Sequence, residues 1–353
     1  MRLRFAGKLA AFALGLAGLY GLWRATSTVR HRLPRARPVA AILPRAVPSA
    51  HDGFVIGYAG CPPPAALDLS QPGVVPNPAL ADGLGQPVRL ERVSWADANQ
   101  DPVSGLASGS LDAAVVDYPS VVRAAMDGEA PPPVVLLVSW RAGSDAVRTE
   151  DGKPAPADQA VDTTRSGSAD YLMAVVYGSA RYSPEEKSKA LRTIRDGAAR
   201  SPNGAAKAIA GRVDQMPARA RQWPTWQSTA KLPAAMPDVL VVSAALARRS
   251  PETVTRLVRA WLKGQEAISG NTSDWKRYVA EQAKATGINA EDLSRQLAPA
   301  SVTDQMAFAG LAGGMAGYAR LAAKQARAVT SGPLPDFSAP MDAGPLRDAI
   351  AEH

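Results

Sequence analysis

Asp117-Tyr118-Pro119-Ser120 puts an acid, a phenol and a hydroxyl within four residues, at the end of the apolar run Leu111–Val116. Groups of this kind accept and donate hydrogen bonds, which suits reversible binding of a polar ligand. The run predicts a buried strand. The tetrapeptide predicts a turn from its carboxyl end into a helix over Val121–Met126, which Gly128 ends. Ligands of open α/β sheets bind outside the carboxyl ends of the strands, where the next helix presents free N–H groups. Asp117 can equally serve only as a helix cap, and Tyr118 only as packing.

Other chemistries are poorly supplied. The three histidines are His31, His51 and His353, all in the amino-terminal arm or at an end. General acid–base work by an interior histidine is therefore not expected, nor is a His/Cys metal site. Cys61 is the single cysteine, so no intrachain disulfide can form. Without an interior histidine beside it, a Cys–His nucleophile is not expected either. The reading is a non-enzyme without cofactor. Net charge is +8, but residues 1–50 hold nine Lys/Arg and no acid, which leaves −1 for 51–353 (8 − 9). The body is near neutral and shows no basic face with aromatic platforms, so no nucleic-acid partner is expected.

The elements that would position these groups alternate. Phe54–Tyr58 and Val88–Trp95 predict strands, and a short helix should end at Gly109. Asp112 opens the next strand at the edge away from the site, and Val134–Val138 is all apolar, as in a parallel strand covered on both faces. Alternation of strands and helices predicts an α/β fold. The polar, Pro/Gly-rich stretch 149–156 reads as a linker or hinge. Beyond it, Ser166-Gly167-Ser168 opens a helix to Tyr177, Ser183-Pro184-Glu185-Glu186 starts another, and Ala205–Ala210 predicts a third. Gly109-Ser-Leu-Asp112 and Gly211-Arg-Val-Asp214 share Gly-x-apolar-Asp at a spacing of 102 residues. They suggest a repeated wall, with the strand after Asp214 interrupted by Pro217. Strand Pro237–Ser243 and a long amphipathic helix from Ser250-Pro251-Glu252 to Ile268 follow. Val254, Leu257, Val258, Trp261 and Leu262 share one face of that helix.

At the amino terminus an apolar run from Leu9 to Trp23 follows Lys8. From Phe5 it spans 19 residues, close to the ~20 a spanning helix needs. An uncleaved anchor over 1–23 is expected, with a cleaved signal ending near Ala25-Thr26-Ser27 as the other reading. Both put the body outside the cytoplasm. Prolines at 34, 38, 44 and 48 make 24–50 an extended spacer. Tyr58-Ala59-Gly60-Cys61 ends like a lipid-attachment site, but it lies far from the apolar run, so lipidation is not expected.

Two blocks carry a resemblance: LASGSLDAAVVDYPSVVRAAMDGEAPPPVVLLVSWRAGSDAV and MPDVLVVSAALARRSPETVTRLVRAWLKGQEAISGN. In their order along the chain they are similar to periplasmic solute-binding proteins of ABC importers in the nitrate, sulfonate and taurine group. The resemblance covers roughly residues 51–330. It implies a two-lobed type II binding fold behind the amino-terminal transmembrane helix. Lobe 1 would be 51–148 with 238–330, lobe 2 would be 149–237, and 331–353 would form a tail. It implies a small-molecule ligand, often anionic, an ABC permease as partner, and an inner-membrane-anchored body in the periplasm. It also implies a ligand wall. In lobe 1 this would use Tyr58, Cys61, Asp117, Tyr118, Ser120, Trp140, Arg141, Ser144 and Asp145. In lobe 2 it would use Ser166, Ser168, Tyr171, Trp223 and Trp226. Arg141 and Arg165 would supply charge-assisted hydrogen bonds to an anion. The degraded second wall leaves open a sensor or interaction protein that kept the fold and lost transport.

Overall fold

The computed structural model describes residues 53–58, 78–93, 102–128, 130–140, 143–154, 161–163, 171–172, 183, 185–186, 207–213, 216–232, 236–270, 272–286, 289–313, 317–329, 334, 337 and 341–351. All of them lie in the compact unit Val47–His353. The expected anchor at 1–23 and spacer at 24–50 fall outside the described residues. Among those described, no helix is long and apolar enough to cross a membrane.

The strands are β1 (Phe54–Tyr58), β2 (Val88–Arg92), β3 (Ala113–Asp117), β4 (Val134–Trp140), β5 (Asp145–Thr149), β6 (Asp162–Thr163), β7 (Ala208–Arg212), β8 (Thr225–Ser228) and β9 (Pro237–Val242). The helices are α1 (Pro78–Leu84), α2 (Pro102–Ser108), α3 (Tyr118–Met126), α4 (Ala218–Arg221), α5 (Ala244–Arg249), α6 (Pro251–Gly270), α7 (Thr272–Thr286), α8 (Ala290–Leu297), α9 (Val302–Ala309), α10 (Gly317–Val329) and α11 (Gly344–Ala351).

One sheet has the order β2-β1-β3-β9-β4. β1 pairs in parallel with β2 and β3, while β9 runs antiparallel to both β3 and β4. The apolar runs form strands here because both faces are covered. Ala113 and Val115 join one core cluster, and Ala114 and Val116 join the other. β9 divides in the same way, with Leu240 and Val242 on one side and Val239 and Val241 on the other. Period-2 alternation thus sends neighbouring apolar residues to opposite cores. On β4 the adjacent Val135 and Leu136 share a cluster, where the ladder to β9 shifts register.

The first core closes under α6, which packs against α1 and α11. Val254, Leu257, Val258 and Trp261 are all but fully buried there, on the face the sequence periodicity picks out. The second core lies under α3, which packs against α10. Gly109 ends α2 with φ 80°, a conformation glycine adopts without a Cβ penalty. Asp112 ties the opposite edge: Val55 N–H donates to its carboxylate at 2.9 Å.

The second sheet has the order β6-β7-β5-β8, with β5 antiparallel to both β7 and β8. Two expectations are corrected in it. Ala205–Ala210 is not a helix over its described part, because Ala208, Ile209 and Ala210 enter β7 and are buried against β5. Alanine favours helix, but pairing with a buried strand overrides that weak preference. Gly211 is therefore not a helix cap like Gly109: it sits inside β7 with φ 135°. The strand contains the first two residues of the Gly-x-apolar-Asp pattern here and follows the glycine at Gly109, so the two patterns are not repeats of one wall. β5 belongs to this second sheet, so the chain leaves the first sheet between Trp140 and Asp145. The chain returns to the first sheet between Ser228 and Pro237.

Candidate functional site

The carboxyl ends of β1, β3 and β4 lie at one end of the first sheet, and β9 enters the sheet there. Ladder register aligns Asp117 of β3 with Asp238 of β9, and Asp238 in turn with Ser139 of β4. Directly opposed residues of an antiparallel pair project to the same face. Two carboxylates therefore sit side by side at the strand end. Asp117 is fully buried and Asp238 half-buried. Ser139 Oγ lies 3.4 Å from Asp238 Oδ2 as a long hydrogen bond. In the sequence Asp238 stands only as part of an apolar strand. Its place beside Asp117 depends on a pairing between segments about 120 residues apart, for which no local signal exists.

Asp117 caps α3. Its Oδ1 accepts from the backbone N–H of Ser120 at 3.0 Å and from Ser120 Oγ at 2.7 Å. The Asp-Tyr-Pro-Ser turn is thus a helix start, with proline tolerated in the first turn because no intrahelical donor is needed there. Ser120 is buried and its hydroxyl is engaged by this cap. Tyr118 does not line a cleft. It is fully buried, its hydroxyl donates to the Tyr318 carbonyl at 3.0 Å, and its ring meets Phe308 edge-on at 5.5 Å. Burial, with a smaller contribution from Tyr318, pushes the Tyr118 phenol far above its ordinary range.

Trp140, the last residue of β4, is half-buried and also meets Phe308 edge-on, at 6.3 Å. Phe308 gathers Tyr118, Trp140 and Tyr318 around itself. Tyr58 ends β1 and is half-buried, and its carbonyl accepts from Val93 N–H at 3.0 Å. Cys61, Arg141, Arg165, Ser166 and Ser168 lie outside the described residues.

Ser144 and Asp145 occupy the crossing to the second sheet. Both are buried, and Ser144 Oγ donates to Asp145 Oδ2 at 3.0 Å. Thr229, on the returning side, joins them: Gly143 N–H donates to Thr229 Oγ1 at 2.8 Å and Asp145 N–H at 3.3 Å. The two crossings are therefore fastened to each other by one buried hydroxyl, which the sequence reading missed. Tyr171 is buried, and burial raises its phenol to about 12. Among the described residues its hydroxyl has no partner. Trp223 is half-buried after α4, with the Arg219 guanidinium 6.0 Å from its ring centroid. The Trp223 carbonyl accepts from Arg148 at 2.8 Å. The sheet end thus brings Asp117, Trp140 and the new Asp238 together. Ser144 and Asp145 sit at the crossing, and Trp223 packs against the core cluster of Ala146, Ile209, Met216 and Ala220. Among the described residues no group of three or more His, Cys, Asp or Glu could hold a metal.

No family model matches the chain, and no curated protein matches it in sequence. Solved structures match it by fold. The ligand-binding component of an ABC-type import system from Staphylococcus aureus, with zinc bound, gives a TM-score of 0.53 at 14% identity, over 84% of this chain and 98% of that one. The alkanesulfonate-binding protein SsuA from Xanthomonas axonopodis pv. citri, bound to MOPS, gives 0.52 at 14% identity, over 82% and 98%. The desulfurization enzyme DSZB gives 0.46 at 15% identity, over 85% and 99%. The first two give this chain an α/β fold shared with periplasmic binding proteins.

Proposed function

We propose that the chain is an extracytoplasmic solute-binding protein of an ABC-type importer, tethered by the apolar segment 1–23 and holding its body in the periplasm. A small anionic solute binds between the part bearing the first sheet and the part bearing the second, and an ABC permease receives it. The observation that carries this reading is the pair of crossings, between Trp140 and Asp145 and between Ser228 and Pro237, fastened at Thr229. Two sheets joined by such crossings can close on a ligand by a hinge at a few connecting residues. Arg141 supplies the anion's charged hydrogen bonds. Asp238, half-exposed beside the strand end, favours a solute that also carries a donor, such as an amino sulfonate. The body works by binding, not by catalysis.

A thermal-shift screen of residues 51–353 against small anions and amino sulfonates tests this. A true ligand at a hundredfold excess over its Kd adds about 2.7 kcal/mol to stability, a clear rise in Tm. Arg141→Ala should weaken that ligand by about 1.5–3 kcal/mol, the worth of a hydrogen bond to a charged group. One observation favours the second reading, a sensor or interaction protein: Tyr118 and Ser120 already spend their hydroxyls inside the fold. A screen without any shift would support that reading over transport.

A further inference from the structure

A separate concavity lies on the flank of the first sheet. A pocket of about 310 Å³ opens where Trp140 meets α9 and α10. That volume is at the small end of the range for small-molecule sites. Phe308 and Leu321, both buried, give it an apolar floor beside Trp140. Arg320 and Lys324 stand on its rim, both exposed. They are four residues apart on α10, so they share one face of that helix. Among the described residues neither cation has an ion-pair partner. The acid in the lining, Asp304, is engaged elsewhere. Its Oδ2 accepts from Ser301 N–H at 3.0 Å and from Ser301 Oγ at 2.7 Å, in the capping box that starts α9. The lining therefore joins an aromatic corner, fixed by the Trp140–Phe308 edge contact at 84° between ring planes, to two positive charges that form no ion pair among the described residues.

We propose that this pocket is a second ligand site, which takes a small apolar carboxylate: a ring or short chain against Trp140 and Phe308, with its anionic head between Arg320 and Lys324. A guanidinium and a carboxylate match as a two-point hydrogen-bonded pair, and the ammonium adds a second charge from the same helix face. The pocket shares Trp140 with the sheet end, but among the described residues none of its lining comes from the segment 143–232 that carries the second sheet.

The probe pair is 2-naphthoate and its uncharged isostere 2-naphthamide, titrated into the full chain by calorimetry. The expected result is one naphthoate site, weakened at least tenfold by Arg320→Gln combined with Lys324→Gln. Naphthamide binding should change less than twofold in the same double variant. Trp140→Ala should weaken both probes, and circular dichroism melts show whether each variant keeps its fold. Arg320→Lys, which keeps the charge and loses the fork, should fall between wild type and the double variant. Naphthoate binding that is absent, or that is unchanged in the double variant, overturns the proposal. Equal weakening of naphthoate and naphthamide by the double variant overturns the ionic part, since the cations would then matter only through packing.

Discussion

Asp117 shows how a candidate binding residue can be committed to the fold. Its carboxylate satisfies the free backbone donor of Ser120 and holds the Ser120 hydroxyl. Asp117→Ala should lower stability by about 1–2 kcal/mol in urea unfolding, the usual worth of such a cap, and Asp117→Asn should recover most of it. Tyr118→Phe removes the hydrogen bond to the Tyr318 carbonyl and leaves that acceptor buried, for a loss of about 1 kcal/mol with solute binding unchanged. Burial also makes Tyr118 and Tyr171 sensitive to alkali. Their folded pKa values lie above the ordinary 10.0, so the native state holds these protons more tightly than the unfolded state does. The stability this adds is fully present below pH 10 and is lost as pH rises through the folded values, for Tyr171 up to about 12. Urea midpoints at pH 9, 10 and 11 should fall along that series. Each of Tyr118→Phe and Tyr171→Phe should flatten the fall, by no more than about 1.4 kcal/mol per pH unit per group.

Among the elements, β4 is an edge strand that the fold has covered. β9 pairs with one side of it. On the other side Ala300 N–H donates to the Val138 carbonyl at 3.0 Å and Asp342 N–H to the Val134 carbonyl at 2.9 Å. Gln305, buried, closes the middle with both ends of one amide: its Oε1 accepts from Leu137 N–H at 3.0 Å and its Nε2 donates to the Leu137 carbonyl. An uncovered apolar edge would be a template for pairing with another chain. Gln305→Ala should leave both Leu137 groups unmet and cost about 1–3 kcal/mol, read from the urea midpoint. Gln305→Glu keeps the acceptor but loses the donor and buries a charge, so it should not restore wild-type stability. Light scattering near the melting midpoint should show more association for both variants than for wild type.

For the whole molecule, the division that matters is between the compact unit from Val47 onward and the arm before it. Among the described residues, the body's core clusters are built from residues 54–349. A chain of residues 51–353 should therefore fold with the same Tm, within about 2 °C, as the full chain. If segment 1–23 is an anchor, the full chain should pellet with membranes and resist carbonate, while the shortened chain should stay in the supernatant. A full chain found wholly soluble, with its amino terminus near Thr28, would instead mark a cleaved signal.

Much of this was legible from local pattern. The runs FVIGY, AAVVD, VVLLVSW and PDVLVV declared strands, although VVLLVSW, expected as a parallel strand, pairs antiparallel with β9, and the 3.6-residue spacing of Val254, Leu257, Val258 and Trp261 declared the buried face of α6. These signals are strong because hydrophobic periodicity acts within a few residues of itself. Gly109 and the Asp117 turn were legible too, since caps and left-handed glycines are local chemistry. What failed was whatever depended on distant partners. Ala208–Ala210 looked helical by composition and became a strand because β5 was there to pair with it. Gly211 imitated Gly109 in sequence while lying inside that strand. Tyr118 had the right type and place for a ligand wall, and it was the approach of Phe308 and Tyr318, about 200 residues later, that turned it into core. Asp238, Thr229 and Gln305 gained their roles only through pairings across the chain. The alternation of elements determined the fold class. Which polar groups remained for a ligand was decided by tertiary packing, because a buried donor or acceptor takes whichever partner the fold brings to it.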